Sequence, residues 1–235
     1  MPSMKNLDSI IKKIDKQINN KDKVREQALK SSRGIIIRSR KSIQLMQRDL
    51  LEEAQKHIKE ASSNLEELYK LTKDYPELFY AGFVENAAQE CAEAHCLFNI
   101  KKGKDLPDPD TLKTSYSSYL LGLCDVVGEL RRSALDFILE GEISKANDYL
   151  MYMDKIYDAV MIFDYPSGLI PIKRKQDVLR SLIDKTRGEL AIASFEQRID
   201  EKTNEICGLL DNFYNKKKIG GKNREPMDID IDKVW

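Results

Sequence analysis

The chain has 235 residues, enough to bury one large hydrophobic core, and its 39 basic side chains balance its 39 acidic ones. Because the net charge is zero, attraction to a polyanion must come from a local basic patch. Four cysteines without a C-x-x-C pair and only two histidines give poor support to a zinc framework.

The sequence shows neither a signal peptide nor an apolar run approaching the about 18 residues that a membrane span needs. We therefore expect a cytoplasmic protein with free thiols and no membrane partner.

Helical periodicity and the positions of proline and glycine predict an all-α fold, since no stretch alternates at period two. A short helix at residues 7–19 precedes a very long one at 23–73, which Tyr75-Pro76 ends. The other predicted helices cover residues 77–101, 110–140 (capped by Asp110 or Thr111), 144–163 (capped by Ser144) and 172–214. We expect a bundle of about six to seven long antiparallel helices in one domain, residues 5–215, and a polar, mobile tail at 216–235.

Two pairs of carboxylates lie in otherwise apolar helical stretches. Glu90 and Glu93 are three residues apart, and Asp125 and Glu129 are four apart, so each pair occupies one helix face. Four carboxylates that meet between packed helices repel one another unless a divalent cation or protons neutralise them. The pattern therefore predicts a Mg²⁺ or Mn²⁺ site, in which some carboxylates hold water or act as a base. The alternative is that they are solvated helix faces or ion pairs with nearby arginines.

Basic side chains cluster in the first half of the long helix and at the start of the last one. Because arginine offers forked donors to phosphate oxygens, these clusters predict a phosphate-binding surface. The alternative is that mixed charge only solubilises the helices. The predicted nucleic-acid-binding residues are Arg33, Arg38, Arg40, Lys41, Lys173 and Arg174.

Four segments, in this order, resemble the translin superfamily, and within it the translin-associated factor X (TRAX) type. They are Ser32-Arg33 with SRKSI (39–43), QECAE (89–93), YLLGLCDVVGEL (119–130) and IKRKQDVL (172–179). The third segment is the most specific, because it matches the pattern Y-L-x-G-x-x-D-x-x-G-E-L. Together they extend over about residues 25–190.

The resemblance implies an all-α fold of about seven helices, assembly into a hollow octamer and binding of single-stranded RNA or DNA. For the factor X branch it also implies Mg²⁺-dependent endoribonuclease activity, with catalytic carboxylates that fall on Glu90, Glu93, Asp125 and Glu129. Plain translin chains lack that full set. Eukaryotic complexes mix two subunit types, whereas this chain differs in its tail and has no evident partner. We therefore expect a prokaryotic, archaeal homologue that forms homo-octamers alone.

From these observations we predict a metal-dependent endoribonuclease acting on single-stranded RNA. The four carboxylates would hold Mg²⁺ or Mn²⁺, directly or through water, next to the scissile phosphate. One alternative is a translin-like protein that binds single-stranded RNA or DNA without catalysis. Another is a helical assembly protein with no salt-sensitive affinity for RNA.

Overall fold

Helices account for the regular secondary structure of residues 5–220, the part of the chain that this computed structural model describes. Their bounds are α1 Leu7–Met46, α2 Leu51–Thr72, α3 Pro76–Phe79, α4 Gly82–Lys101, α5 Pro109–Leu112, α6 Tyr116–Leu139, α7 Ile143–Val160 and α8 Ile172–Gly220. The predicted all-α class is confirmed: six of these helices are long, and α3 and α5 are single turns. None of the helices described could span a membrane. The chain divides into two compact units, the first ending at Arg187 and the second beginning at Gly188.

The long helix predicted over residues 23–73 is wrong, because the chain turns between α1 and α2. α1 passes without a break through the predicted gap at residues 20–22. The turn that follows α1 includes Asp49 with a left-handed φ of 60°. Gln47 in this turn donates hydrogen bonds from Nε2 to the carbonyl oxygen (3.1 Å) and a carboxylate oxygen (2.8 Å) of Glu129 on α6. A contact with a distant helix accompanies the break, and no proline or glycine marks it in the sequence.

Three predicted helix starts also differ from the structure. α7 begins at Ile143, so the predicted cap Ser144 lies inside the helix, and Glu142 occupies the N-cap position. The predicted helix at 77–101 is split into α3 and α4, and the one at 110–140 into α5 and α6. Asp108 caps α5, since its side chain accepts a hydrogen bond from the Asp110 backbone N–H at 2.8 Å. Ser115 caps α6 in the same way and accepts from Ser118 at 3.1 Å. At the C-terminal side, α8 extends to Gly220, and the rest of the predicted tail lies outside the described residues.

α4 lies at the centre of the first unit, in contact with α1, α2 and α6. Its small side chains let the neighbouring helices approach closely, and Ala87, Ala88 and Ala92 are fully buried. The adjoining core cluster is formed by Ala28, Ile35, Ala61, Leu65, Leu68, Val84, Ala87, Ala88 and Cys91. The QECAE segment on α4 is therefore held in the interior, where an acidic side chain is costly.

α6 crosses α4 at Gly122, and the missing side chain makes this crossing possible. A Cβ placed on Gly122 would meet the Gln89 carbonyl oxygen at 2.6 Å and the Glu93 backbone nitrogen at 3.1 Å. Both contacts are with the backbone, so a methyl group has nothing flexible to displace. Asp125 follows Gly122 by one turn of α6, so this close approach sets how near the two pairs of carboxylates lie.

The first part of α8 is fixed against α7 and α6 by buried polar contacts. Gln176 donates from Nε2 to the carbonyl oxygens of Val160 (3.0 Å) and Phe163 (2.9 Å), where α7 ends. Arg131 on α6 donates to the Thr186 hydroxyl at 2.7 Å. These contacts place the basic start of α8 beside the acidic segment of α6.

Replacing Gly122 by alanine tests the close approach of α4 and α6. Gly122→Ala should lower the free energy of unfolding, because overpacking against backbone costs about 1–3 kcal/mol. Gly128→Ala on the same helix is the matched control, since its Cβ would meet no atom within 4 Å. That change should stabilise the helix by up to about 1 kcal/mol. Chemical unfolding of both variants measures the difference, and equal stabilities would contradict the crossing.

Candidate functional site

The four predicted carboxylates lie around one cleft of about 390 Å³. Its lining residues come from α1, α4 and α6: Arg40, Ile43, Gln44, Glu90, Glu93, Asp125, Glu129 and Arg132. This cleft is called the carboxylate cleft below. Glu93 and Glu90 come from α4, Asp125 and Glu129 from α6, and Arg40 from α1. Spacing along the sequence put each pair on one face, and the crossing at Gly122 brings the two faces together.

Glu93 is the deepest of the four carboxylates, with 9% of the residue exposed. The pKa of Glu93 is raised from 4.5 to about 8. Burial is the largest cause, and the nearby Asp125, Glu90 and Glu129 carboxylates add to it. Lys175 acts in the opposite direction. Among the described residues, no hydrogen bond or ion pair to the Glu93 carboxylate is present. A buried carboxylate with three like charges nearby favours any added positive charge, either a proton or a cation.

The other three carboxylates have protein partners. Arg40 holds Glu90 with a forked contact, in which Nη2 donates to Oε1 at 2.6 Å and Nε donates to Oε2 at 3.1 Å. Glu129 accepts from Gln47 at 2.8 Å and pairs with Arg132 at 3.4 Å. These contacts orient the carboxylates and partly neutralise them.

Asp125 is held by two side chains, one from α4 and one from α8. Gln89 Nε2 donates to Oδ2 at 2.6 Å, and Lys175 Nζ forms an ion pair with Oδ1. Lys175 was not among the predicted site residues, although the neighbouring Lys173 and Arg174 were. Helical spacing is the signal that finds it: Lys175 lies three residues after Ile172 and four before Leu179, both buried. Lys173 and Arg174 are on the exposed face of α8.

The donor set of the cleft suits a hard divalent cation, because the four candidate ligands offer only carboxylate oxygens. Within the described residues, no group of three or more acidic, histidine or cysteine side chains is arranged to hold a metal ion directly. Mg²⁺ is usually held by one or two carboxylates and several waters, and thus does not need such a group. The uncompensated repulsion around Glu93 is the feature that fits a cation.

The predicted nucleic-acid-binding residues are placed in different surroundings. Arg40 is at the carboxylate cleft, and Arg174 lines a neighbouring cleft of about 450 Å³ together with Asp125 and Lys175. The others lie outside both clefts. Arg38 pairs with Glu60 at 3.0 Å, Lys173 pairs with Asp164 at 2.6 Å, and Arg33 and Lys41 are exposed on α1.

Cys91 and His95 lie four residues apart on one face of α4, where they contribute to packing and not to a metal site. Cys91 is buried and has a free thiol, and His95 Nε2 shares a hydrogen bond of 2.7 Å with the Ser62 hydroxyl. Burial lowers the pKa of His95 to about 4, which keeps the imidazole neutral. The scarcity of cysteine and histidine in the sequence favours the same interpretation over a zinc site.

Known proteins resemble this chain across most of its length. The sequence matches the Translin family over residues 23–187. An uncharacterized protein of Methanocaldococcus jannaschii is 33% identical over 175 residues, which is 73% of this chain and 77% of that protein.

Solved structures share the fold as well. The crystal structure of AfC3PO is 33% identical, with a TM-score of 0.73, and covers 79% of this chain and 97% of its own. A complex of AfC3PO with duplex RNA has the same coverage, 31% identity and a TM-score of 0.72. Apo-NeC3PO is 21% identical with a TM-score of 0.70, covering 82% of this chain and 100% of its own, and supports the fold alone.

The raised pKa of Glu93 predicts how stability depends on pH without divalent cations. The folded chain binds the Glu93 proton more tightly than the unfolded chain, since the pKa rises from 4.5 to about 8 on folding. The stabilisation from this group is therefore full below about pH 4.5 and is lost as the pH rises to about 8. In Glu93→Gln, residue 93 is uncharged at every pH. The melting temperature of this variant should therefore rise relative to that of the wild type as the pH increases from 5 to 8.

Thermal unfolding in EDTA at several pH values measures this gain. Glu67→Gln, which changes an exposed carboxylate on α2, is the control and should follow the wild type. If the melting temperatures of Glu93→Gln and the wild type changed with pH in the same way, the placement of Glu93 among like charges would be contradicted.

Proposed function

The chain belongs to the Translin family, and on that premise we propose that it binds RNA and cleaves it with the help of a divalent cation at the carboxylate cleft. The observation that carries the proposal is the meeting of Glu90, Glu93, Asp125 and Glu129 around one cleft. The full carboxylate set favours the factor X type of the family over a plain nucleic-acid-binding type.

Mg²⁺ or Mn²⁺, when bound, would supply a Lewis acid that polarises the scissile phosphate and lowers the pKa of the attacking water or 2′-hydroxyl. The side chains of this chain set the position of that chemistry. Glu93 is the most buried, whereas the side chains of Asp125 and Glu129 are 30% and 23% exposed. The outer two carboxylates are thus the ones that can contact the substrate, and the inner ones hold charge at the floor of the cleft.

The Arg40 side chain extends from the largely buried Glu90 carboxylate to the solvent. Its side chain is 63% exposed, whereas that of its partner Glu90 is 13% exposed. Nε and Nη2 contact Glu90, and no hydrogen bond of Nη1 is present within the described residues. A guanidinium can bind a phosphate oxygen with its free donors. A cation at Glu90 would weaken the Arg40 contact and free more donors for phosphate, so cation and RNA should favour each other's binding.

RNA is the proposed substrate, and the single strand is the proposed form. The structure of a complex with duplex RNA has been solved for AfC3PO, to which this chain is similar over most of its length. That complex supports RNA as the ligand class and makes duplex RNA the natural comparison in any assay. Single-stranded DNA is a further ligand that the same phosphate contacts would accept.

We further propose that the chain assembles into a homo-octamer. The consecutive isoleucines at 35–37 cannot all face one side, and Ile37 is 67% exposed. At the end of α7, Ile162 is 77% exposed beside the buried Val160. Such apolar surface is typical of subunit contacts, and closed symmetry would gather the basic surfaces of several copies around one chamber.

A second candidate function is RNA binding without cleavage. It is favoured by the ion pairs of Glu90 with Arg40 and of Asp125 with Lys175. These basic side chains already neutralise two of the four carboxylates. In that case the carboxylates would only orient basic side chains toward the RNA.

Cleavage of labelled single-stranded RNA distinguishes the two functions. With Mg²⁺ the wild type should cut, and with EDTA it should not. Glu90→Gln, Glu93→Gln, Asp125→Asn and Glu129→Gln should each reduce the rate on the order of a hundredfold or more. The quadruple variant should be little worse, because the four act on one ion. Glu67→Gln should keep full activity. Full activity in two or more of the single variants would remove the site assignment.

RNA affinity at several salt concentrations tests the phosphate contacts. Arg40→Gln and Lys173→Gln should weaken binding similarly for all sequences, since phosphate contacts carry no base information. For each phosphate that a variant no longer neutralises, the slope of log affinity against log salt should become shallower by about 0.7. Lys70→Gln, an exposed lysine on α2, serves as the control for general charge loss. An unchanged slope in the double variant would mean that RNA binds elsewhere.

A further inference from the structure

Two helical segments outside the family match carry apolar stripes. The α1 segment comprises residues 5–20 and the α8 segment residues 192–212, whereas the Translin match spans residues 23–187. The similarity to AfC3PO covers 97% of that chain but only 79% of this one. Both segments therefore add to the shared domain, and the carboxylate cleft does not involve them.

The α1 segment has a stripe with the spacing of a coiled coil. Leu7, Ile11, Ile14 and Ile18 follow at steps of four, three and four, and all of residues 5–20 are exposed. Their exposed fractions are 46%, 55%, 49% and 62%. Steps of three and four keep apolar side chains on one helix face, the pattern of a helix that packs against one partner. A contiguous apolar stripe on a helix that is exposed on all sides indicates a contact surface.

The α8 segment repeats this pattern. Its stripe consists of Ile192, Phe195, Ile199, Ile206 and Leu209, at steps of three, four, seven and three. Lys202 occupies the one missing position and pairs with Glu205 at 2.7 Å. All five apolar side chains are exposed, and residues 195–212 are exposed throughout. One polar residue in such a stripe typically fixes the register of the pair.

The α1 segment has a net positive charge, and the α8 segment has a net negative charge. Residues 5–20 carry four lysines and two aspartates, and residues 192–212 carry five acidic and two basic side chains. Pairing of either segment with its own copy would bring like net charges together, whereas pairing of one with the other brings opposite charges together. The acidic balance of the α8 segment also disfavours an anionic membrane surface.

We propose that the α1 segment of one copy packs against the α8 segment of a second copy of this chain, as a two-helix coiled coil. The partner is a second copy because the two stripes carry opposite net charges, so each copy offers both halves of the pair. The contact joins copies through segments that lie outside the family domain. It does not depend on the proposed RNA chemistry, and its test needs neither RNA nor metal.

Cross-linking of exposed thiols tests the contact. Cys207 in the α8 segment is exposed, and Cys91, Cys96 and Cys124 are buried. A second thiol is introduced in the α1 segment, in one variant by Asp8→Cys and in another by Asn19→Cys. These positions lie beside the two ends of the stripe, so either direction of pairing brings one of them near Cys207. The full-length variants are treated with a short bis-maleimide, separated by mass and mapped by peptide mass spectrometry.

We expect a product of two chains in which position 8 or 19 is joined to Cys207. Its yield should fall at least fivefold with Ile11→Ser/Ile18→Ser or with Ile199→Ser/Leu209→Ser. It should persist with Lys16→Ser or Asn204→Ser on the opposite helix faces. The stripe residues are exposed, so the substitutions remove no core contact, and an unchanged thermal transition of the chain verifies this. Links only within one chain, only between two Cys207 thiols, or none at all would overturn the proposal.

Discussion

Repulsion among four carboxylates around one cleft, the deepest of which is buried, is the constraint on which this structure depends. Glu93 lies at the centre of that repulsion, and its pKa rises to about 8 through burial and the neighbouring negative charges. The surrounding side chains answer the repulsion with positive charge: Arg40 from α1 reaches Glu90, and Lys175 from α8 reaches Asp125. Each contributes from a different helix, so the electrostatics of the site and the packing of the first unit are linked.

The fold makes the repulsion possible by bringing backbones unusually close. α4 is built from small residues that let its neighbours approach, and Gly122 lets α6 cross with no side chain in between. A bulkier residue at this crossing would move the two pairs of carboxylates apart and relax the repulsion. The lining of the cleft thus holds more carboxylates than cationic side chains, and such unbalanced charge is common at functional sites.

Features that depend on residue spacing are predictable from this sequence, whereas those that depend on distant contacts are not. The pairs Glu90/Glu93 and Asp125/Glu129 follow from helical periodicity, and so does the all-α class. The break after α1 does not, because Gln47 is held by Glu129 from a helix about eighty residues away in sequence. Lys175 could have been found from its spacing to buried Ile172. The charge clusters at Arg33 and Lys41 lie outside the two clefts, since a run of basic residues on a helix spreads around its axis.

The four carboxylates should act as one unit that takes a divalent cation. Calorimetric titration of metal-free protein with Mn²⁺ tests it most directly, with no RNA present. We expect one saturable binding process per carboxylate cleft, which Glu90→Gln, Glu93→Gln, Asp125→Asn or Glu129→Gln each weakens strongly and Glu67→Gln leaves intact. Absence of saturable binding, or binding that survives in all four variants, would contradict it.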